Sequence, residues 1–333
     1  MAASWNQLLR PALPTAAATA IPPFLYGTAW KKDLTADLVY QALCAGFTGI
    51  DTAAQPKHYR EDLVGHGLRK ALAKGKVKRQ DLYVTLLSCY PLITTKYLLT
   101  SSQVQTKYTP LSSQDSVYLP YDPASSIPDQ VHASIQSSLA NLRPREDPGS
   151  AQDAYLDAVL LHSPLPTLEQ TLAAWHVLES YVPHKIRNLG ISNTRLPLLQ
   201  SLVTSPSTTI KPSVVQNRFY PQSSFDVPLR AFCREHHIIY QSFWTLTANP
   251  SLVWSAEVGS LAHQVGISPQ EALYSLVLGL GGTVLLNGTK NGGRMKGDLD
   301  ALRRVAEWKE KYPVGWERAV ERFKRKIGEV DGE

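Results

Sequence analysis

A chain of 333 residues with 43% hydrophobic and 19% charged residues has enough apolar material for a large core and too little charge for a disordered chain. No apolar run approaches the roughly 20 residues needed to cross a bilayer, and three scattered cysteines (Cys44, Cys89, Cys233) outside any C-x-x-C spacing fit a reducing, cytoplasmic setting without a metal site. The net charge of +6 is spread out and rises only near RFKRKIGE from Arg322, without the interleaved aromatics of a single-strand nucleic-acid binder, so it suits an anionic cofactor or small substrate instead.

Residues 1–22 open MAASWNQLLRPALPTAAATA, Ala-rich with one Arg and two prolines; their weak amphipathicity predicts an irregular N-terminal arm rather than a targeting helix. From residue 23 short β-branched or aromatic runs alternate with stretches of helical period. Strand Phe24–Tyr26 precedes helix Ala36–Ala45; strand Gly49–Thr52 precedes helix Leu63–Ala73; strand Val104–Lys107 precedes helix Gln130–Leu142; strand Ala158–His162 precedes helix Leu168–Ser180. Strand Ile186–Ile191 then leads to helix Leu196–Val203, strand Val214–Asn217 to helix Pro228–His236, strand Ile238–Ser242 to helix Pro269–Leu278, and strand Val284–Leu286 to helix Leu299–Lys311. A basic helix or tail closes the chain at 312–333. Eight such units, with no G-x-G-x-x-G after the first strand, predict a single-domain α/β fold of the (β/α)8 TIM-barrel type over 23–311, not the doubly wound nucleotide fold.

Such barrels do their chemistry at the C-terminal ends of the strands. Those ends read GIDTA (Asp51), VQTK (Lys107), VLLH (His162), GISN (Ser192, Asn193), VVQN (Gln216), YQS (Ser242) and LLNGT (Thr289). Taken singly, the Asp could cap a helix, the Lys be solvated and the His be a satisfied core residue. Delivered in order to one rim, they point to a shared site.

From Gly27 to about Leu299 the chain resembles the aldo-keto reductase family, through GTAW at Gly27, GIDTA at Gly49, YREDLVGHGL at Tyr59, VQTKYTP at Val104, YLDAVLLHSPL at Tyr155, IRNLGISN at Ile186, VVQNRFYP at Val214 and NGTKNGGRM at Asn287. The resemblance implies a catalytic tetrad of Asp51, Tyr59, Lys107 and His162. Carbonyl reduction leaves negative charge on oxygen, which a proton donor must meet. Tyr59 would be that donor, with Lys107 lowering the phenol pKa, Asp51 pairing with Lys107 and His162 orienting the substrate oxygen. The resemblance further implies a nicotinamide cofactor: Ser192, Asn193 and Gln216 at the carboxamide, Gly27 and Thr28 near the ribose and pyrophosphate, Ser242 also among the cofactor-binding residues, and Thr289, Lys290 and Arg294 at an adenosine 2′-phosphate, hence NADPH in preference to NADH.

Three departures from the family pattern stand out. Its Asp-to-Tyr spacing is usually five, whereas position 56 here is proline and Tyr59 lies eight beyond Asp51, with His58 the alternative acid. Gln241 stands where a tyrosine usually stacks on the nicotinamide, leaving Phe243 or Trp244 as substitutes. Gly288 stands where many members carry a lysine before the phosphate-site threonine.

A fourth irregularity is an atypical insertion at 84–103, VTLLSCYPLITTKYLLTSSQ, which falls inside the third strand. Val84 is encoded by a codon beginning GT and Gln103 can be encoded by CAG, so the segment has the outline of a retained intron. Its Ile93–Lys96 imitates the lysine strand; Lys107 is preferred to Lys96 because the sequence after it continues the family pattern without a gap.

The expected function is therefore reduction of an aldehyde or ketone by a monomer or weak homo-oligomer. A catalytically weak nucleotide-binding sensor or partner-binding protein is the alternative, and a metal-dependent hydrolase is disfavoured because His162 is the only histidine at a strand end. The loop Tyr108–Ser126, with Tyr118 and Tyr121, and Trp244 and Trp316 suit a sizeable, weakly polar carbonyl compound such as a polyketide or terpenoid intermediate.

Overall fold

The computed structural model describes residue 5 and residues 7–9, 19–77, 103–115 and 117–329. After two short strands, β1 (Gln7–Leu9) and β2 (Thr19–Ile21), eight parallel strands close into a barrel. These are β3 (Phe24–Gly27), β4 (Gly49–Asp51), β5 (Gln103–Tyr108), β6 (Ala158–Leu161), β7 (Leu189–Ser192), β8 (Val214–Arg218), β9 (Ile239–Phe243) and β10 (Thr283–Asn287), which returns to β3. Every predicted strand is present; the fifth of the barrel is shorter than expected, since Ile186 makes only an isolated bridge to Leu156 and regular pairing begins at Leu189.

The outer layer is α1 (Thr35–Ala45), α2 (Glu61–Ala73), α3 (Ile127–Asn141), α4 (Leu168–Ser180), α5 (Leu196–Thr204), α6 (Val227–Glu235), α7 (Pro250–Val253), α8 (Ala256–Val265), α9 (Pro269–Gly279), α10 (Gly292–Lys311) and α11 (Pro313–Lys326). Helix starts follow from capping side chains: Ser126, Thr167 and Ser255 each accept a backbone N–H, and Ser268 with Glu271 forms a reciprocal capping box at α9. The short α7 and the Ser255-capped α8 between β9 and α9 were not expected from sequence.

Strand side chains alternate between two environments, both dry, as parallel sheets require. Outward residues such as Phe24, Tyr26, Ile50, Val104, Val159, Ile191, Val215, Tyr240 and Leu285 pack under the helices. The interior is tiered: Leu25, Ala158, Leu160, Val214, Ile239 and Val284 form an apolar lower tier, and Asp51, Gln105, Lys107, Gln216 and Gln241 form a buried polar tier above it.

The floor is closed by a segment expected to be irregular. β1 pairs antiparallel with β2, and buried Leu9 and Ile21 rest on the lower tier. Trp5 meets Trp316 of α11 edge to face with centroids 5.5 Å apart, and beyond that helix Glu329 pairs with Arg230 and Arg234 at 2.6 and 2.8 Å. The segment 84–103, with Lys96 and Cys89, lies outside the described residues except for Gln103, which opens β5 opposite Gly49.

Candidate active site

A cavity of about 990 Å3 opens at the C-terminal ends of the strands, at the upper end of the range for small-molecule sites. Asp51, Tyr59, His162, Gly27, Ser192, Asn193, Gln216, Thr289, Lys290 and Arg294 all line it. Lys107 lies buried behind Tyr59, with its ammonium 5.3 Å from that ring's centroid. Two of the expected cofactor residues are not brought to the cavity wall. Thr28 is fully buried and donates its hydroxyl to the Asp51 carbonyl at 2.9 Å, and Ser242 shares a hydrogen bond of 2.6 Å with Thr245.

Asp51 ends β4 opposite Gln105 of the neighbouring β5, and Lys107, two residues further on, shares the interior face with Gln105, so the two side chains meet. All three ammonium protons are used: Nζ lies 2.8 Å from each Asp51 carboxylate oxygen and 2.8 Å from the Thr52 carbonyl. Burial outweighs the pull of Asp51 and lowers the Lys107 pKa, so the ion pair is what keeps this lysine charged. Asp51 Oδ1 also accepts from Gln105 Nε2 at 2.7 Å and from Gln216 Nε2 at 3.0 Å.

Sequence reasoning missed the amide network behind this pair. Gln241 Oε1 accepts from Gln105 and Gln216 at 2.8 and 2.9 Å, and its Nε2 donates to Gln105 Oε1 at 2.9 Å. Thus Gln241, where a stacking tyrosine was looked for, is instead a buried strut of the polar tier, and Phe243 and Trp244 lie on the cavity wall. A period-two reading was the available signal: Gln105 is two before Lys107, and Gln216 pairs in register with Gln241.

Tyr59 reaches the site from the loop ahead of α2, where the turn Gln55–Tyr59 is closed by bonds from His58 N and Tyr59 N to the Gln55 carbonyl. Its ring stands edge-on to His162, centroids 5.9 Å apart. Lys107 was expected to lower the phenol pKa; instead burial, reinforced by Asp51, raises it. The reason is that the lysine's charge is already matched by Asp51 and its protons are committed. His162 lies just past β6, its N–H donating to the Tyr108 carbonyl at 2.8 Å and its Nδ1 lying 2.8 Å from the Thr109 hydroxyl. Burial, then the positive charges of Lys107 and His58, push its pKa down to about 3, so the imidazole is neutral at physiological pH. His58, the alternative acid, is stacked on Trp30 at 3.7 Å on the same wall, with its pKa lowered by burial.

Along β7 and β8, Asn193 adopts a left-handed conformation (φ 52°) and donates from Nδ2 to the His162 carbonyl at 2.9 Å, while Ser192 donates to the Gln216 carbonyl at 2.7 Å. The side-chain oxygens of Asn193 and Gln216 accept no hydrogen bond from the described residues, which leaves acceptors for an amide N–H donor in the cavity. At the other end Thr289, Lys290 and Arg294 surround the start of α10, which Asn291 caps. Among the described residues no group of three or more His, Cys, Asp or Glu could hold a metal, and no helix is long and apolar enough to cross a membrane.

Comparison with known proteins agrees with this geometry. The model of the aldo/keto reductase family matches residues 25–305. The chain is 27% identical over 239 residues to the NAD/NADP-dependent indole-3-acetaldehyde reductase of Schizosaccharomyces pombe, covering 68% of this chain and 66% of that one. It is 29% identical over 219 residues to the NAD(P)H-dependent D-xylose reductase of Scheffersomyces stipitis, covering 58% and 54%. It therefore spans between about half and two thirds of the length of these relatives. Among solved structures, a Bombyx mori aldo-keto reductase in complex with NADP superposes with a TM-score of 0.62 at 22% identity, covering 85% of this chain and 84% of that one. With the eight-stranded barrel, the assembled site and the family match over residues 25–305 in agreement, the chain belongs to the aldo/keto reductase family.

Proposed function

We propose that the chain reduces an aldehyde or ketone with a nicotinamide dinucleotide, NADPH in preference to NADH, and that Tyr59 gives the proton. The observation carrying this reading is the convergence of a buried, protonated phenol with a neutral imidazole on one cavity wall, backed by a buried Asp51–Lys107 pair. The cavity's donor set fits the cofactor: amide acceptors at Asn193 and Gln216 suit a carboxamide, and Lys290 and Arg294 beside the capped start of α10 suit a phosphate. When bound, the reduced nicotinamide supplies the hydride.

The chain's own residues supply the rest. A raised phenol pKa keeps Tyr59 fully protonated at neutral pH. A carbonyl oxygen gaining negative charge becomes a far stronger base than phenolate, so the proton moves from Tyr59 Oη only as that charge develops. In the tautomer whose Nδ1 accepts from the Thr109 hydroxyl, His162 carries its proton on Nε2 and donates it to the same oxygen. The Lys107 ammonium faces the phenolate left behind, held in place by Asp51, which Gln105 and Gln216 fix in turn. The named relatives act on quite different carbonyl compounds. For this chain a wall containing Trp30, Phe243 and Trp244 favours a sizeable, weakly polar one.

The test is a fluorescence titration of the purified chain with NADPH and NADH, followed by NADPH oxidation across a panel of aldehydes and ketones. Tyr59→Phe should abolish turnover and leave nucleotide binding unchanged. Turnover surviving in Tyr59→Phe would remove Tyr59 as the donor and turn attention to His58. Nucleotide binding without turnover on any carbonyl would make the chain a nucleotide-binding sensor or partner protein.

A further inference from the structure

Arg218 is a cation on the cavity wall that neither the tetrad nor the expected cofactor residues employ. It ends β8 two residues after Gln216, so the alternation of the strand puts both side chains on the interior face, with Arg218 about 7 Å further along the strand toward the mouth. Gln216 donates to Asp51 at 3.0 Å. Arg218 therefore stands one step above the reacting end of the cavity, whereas Lys290 and Arg294 belong to the start of α10.

Aromatic rings hold the guanidinium in place. Its Cζ lies over the Trp244 ring, 4.1 Å from the centroid, and 5.2 and 5.8 Å from the centroids of Tyr220 and Phe243. Phe243 is the register partner of Arg218 in β9, and Trp244 follows it with a left-handed backbone (φ 57°), a conformation that a bulky residue adopts only where its surroundings impose it. A guanidinium covered on its face keeps its N–H donors in its plane, pointing outward from the edge. Among the described residues none of those donors has a hydrogen-bond acceptor or a carboxylate partner, although Nε is buried.

The carboxylates that share this wall are already taken. Asp51 is held by Lys107 at 2.8 Å, Glu271 by the backbone N–H of Ser268 at 2.7 Å, and Asp298 by Asn287 Nδ2 at 2.7 Å. The cavity thus presents a half-buried cation, fixed among apolar rings just above the reacting end, and offers it no anion; such a group is costly unless something matches its charge. We propose that the Arg218 guanidinium binds a carboxylate carried by the carbonyl substrate, so that the compound reduced is a weakly polar aldehyde or ketone bearing one acid group several bonds from the carbonyl. This rests on the reductase reading above and deepens it.

The test measures NADPH oxidation by the unaltered chain, Arg218→Met and Arg218→Lys on para-formylbenzoate and the longer para-formylcinnamate, each against its methyl ester. A guanidinium–carboxylate pair is charge-assisted and the ester cannot form it, so the unaltered chain should favour the better-spaced acid over its ester about tenfold or more in kcat/KM. Arg218→Met should bring that ratio close to one, chiefly by raising KM for the acid, and Arg218→Lys should keep part of it. Because acid and ester are compared within one chain, a general loss of activity cancels from the ratio. Equal kcat/KM for acids and esters in the unaltered chain, or a preference for acid that survives Arg218→Met, overturns the proposal and leaves the reductase reading standing. Phosphates of the dinucleotide offer the same kind of oxygen, so NADPH affinity is titrated by fluorescence in each chain. If Arg218→Met weakens NADPH binding as much as it lowers kcat/KM for the acid, the guanidinium serves the nucleotide and the proposal fails. No reduction of these aldehydes or of the wider panel by a chain that binds NADPH overturns the reductase reading and the proposal with it.

Discussion

Replacing Lys107 by methionine tests the buried pair at the centre of the site. Lys107 and Asp51 have side-chain exposures of 0% and 1%, so no water can stand in for the missing ammonium. The substitution removes two bonds of 2.8 Å from the Asp51 carboxylate and leaves the Thr52 carbonyl without its donor. Removing one member of such a pair costs about 3–5 kcal/mol, because the other charge stays buried. Asp51 keeps Gln105 and Gln216 as donors, which places the expected loss near the lower end, about 3 kcal/mol. Urea unfolding of the unaltered chain, Lys107→Met, Asp51→Asn and the double variant closes a double-mutant cycle. The double variant should be less destabilised than the two single effects added together, by about 1–3 kcal/mol. A single-variant cost below about 1 kcal/mol, the usual worth of an exposed pair, with no coupling, would refute the reasoning.

Further predictions concern acid, packing and the interrupted strand. Because the His162 pKa is about 3 when folded, against about 6.5 when unfolded, the unfolded chain takes up a proton that the folded chain refuses; stability is lost as pH falls through this window. The stability deficit of His162→Gln, measured by denaturation at a series of pH values, should therefore shrink below about pH 6.5, and a constant deficit would count against a neutral folded imidazole. A Cβ at Gly190 in β7 would come within 2.6 Å of the Val214 carbonyl oxygen and 2.9 Å of Leu160 Cγ, so Gly190→Ala should lower stability by about 1–3 kcal/mol in the same assay. Deleting 84–103 joins Tyr83 to Val104 and gives the continuous run LYVQTK, with Tyr83 taking the register of Gln103 opposite Gly49. The shortened chain should bind nucleotide at least as tightly as the full one; loss of binding would show that the segment is needed, and transcript sequencing would decide whether its codons persist in mature message.

The barrel was legible because parallel strands buried on both faces leave dense β-branched runs, and the polar residue ending each run marks the rim. Asp51, Tyr59, Lys107 and His162 converge as expected despite the lengthened loop before Tyr59. The polar tier was harder to see, since Gln105 and Gln241 lie within strands and look like ordinary interruptions until strand register brings them together. The β1–β2 pair was hidden by Pro11 and Pro14 between its strands, which made the whole arm read as irregular. Thr28 and Ser242 were placed at the right heights on their strands, but their hydroxyls are spent on holding the rim together.

The floor formed by Leu9 and Ile21 makes the barrel a blind well. On the proposed mechanism, Tyr59 and His162 on the cavity wall take up protons from the side that admits the carbonyl compound. With Tyr59 as the donor proposed above, a ligand filling that mouth leaves the phenol with the single proton it had on entry, and its replacement awaits departure of the product. On that mechanism turnover and reprotonation share one route, which would make the rate of unloading the well a natural ceiling on the rate of the whole cycle.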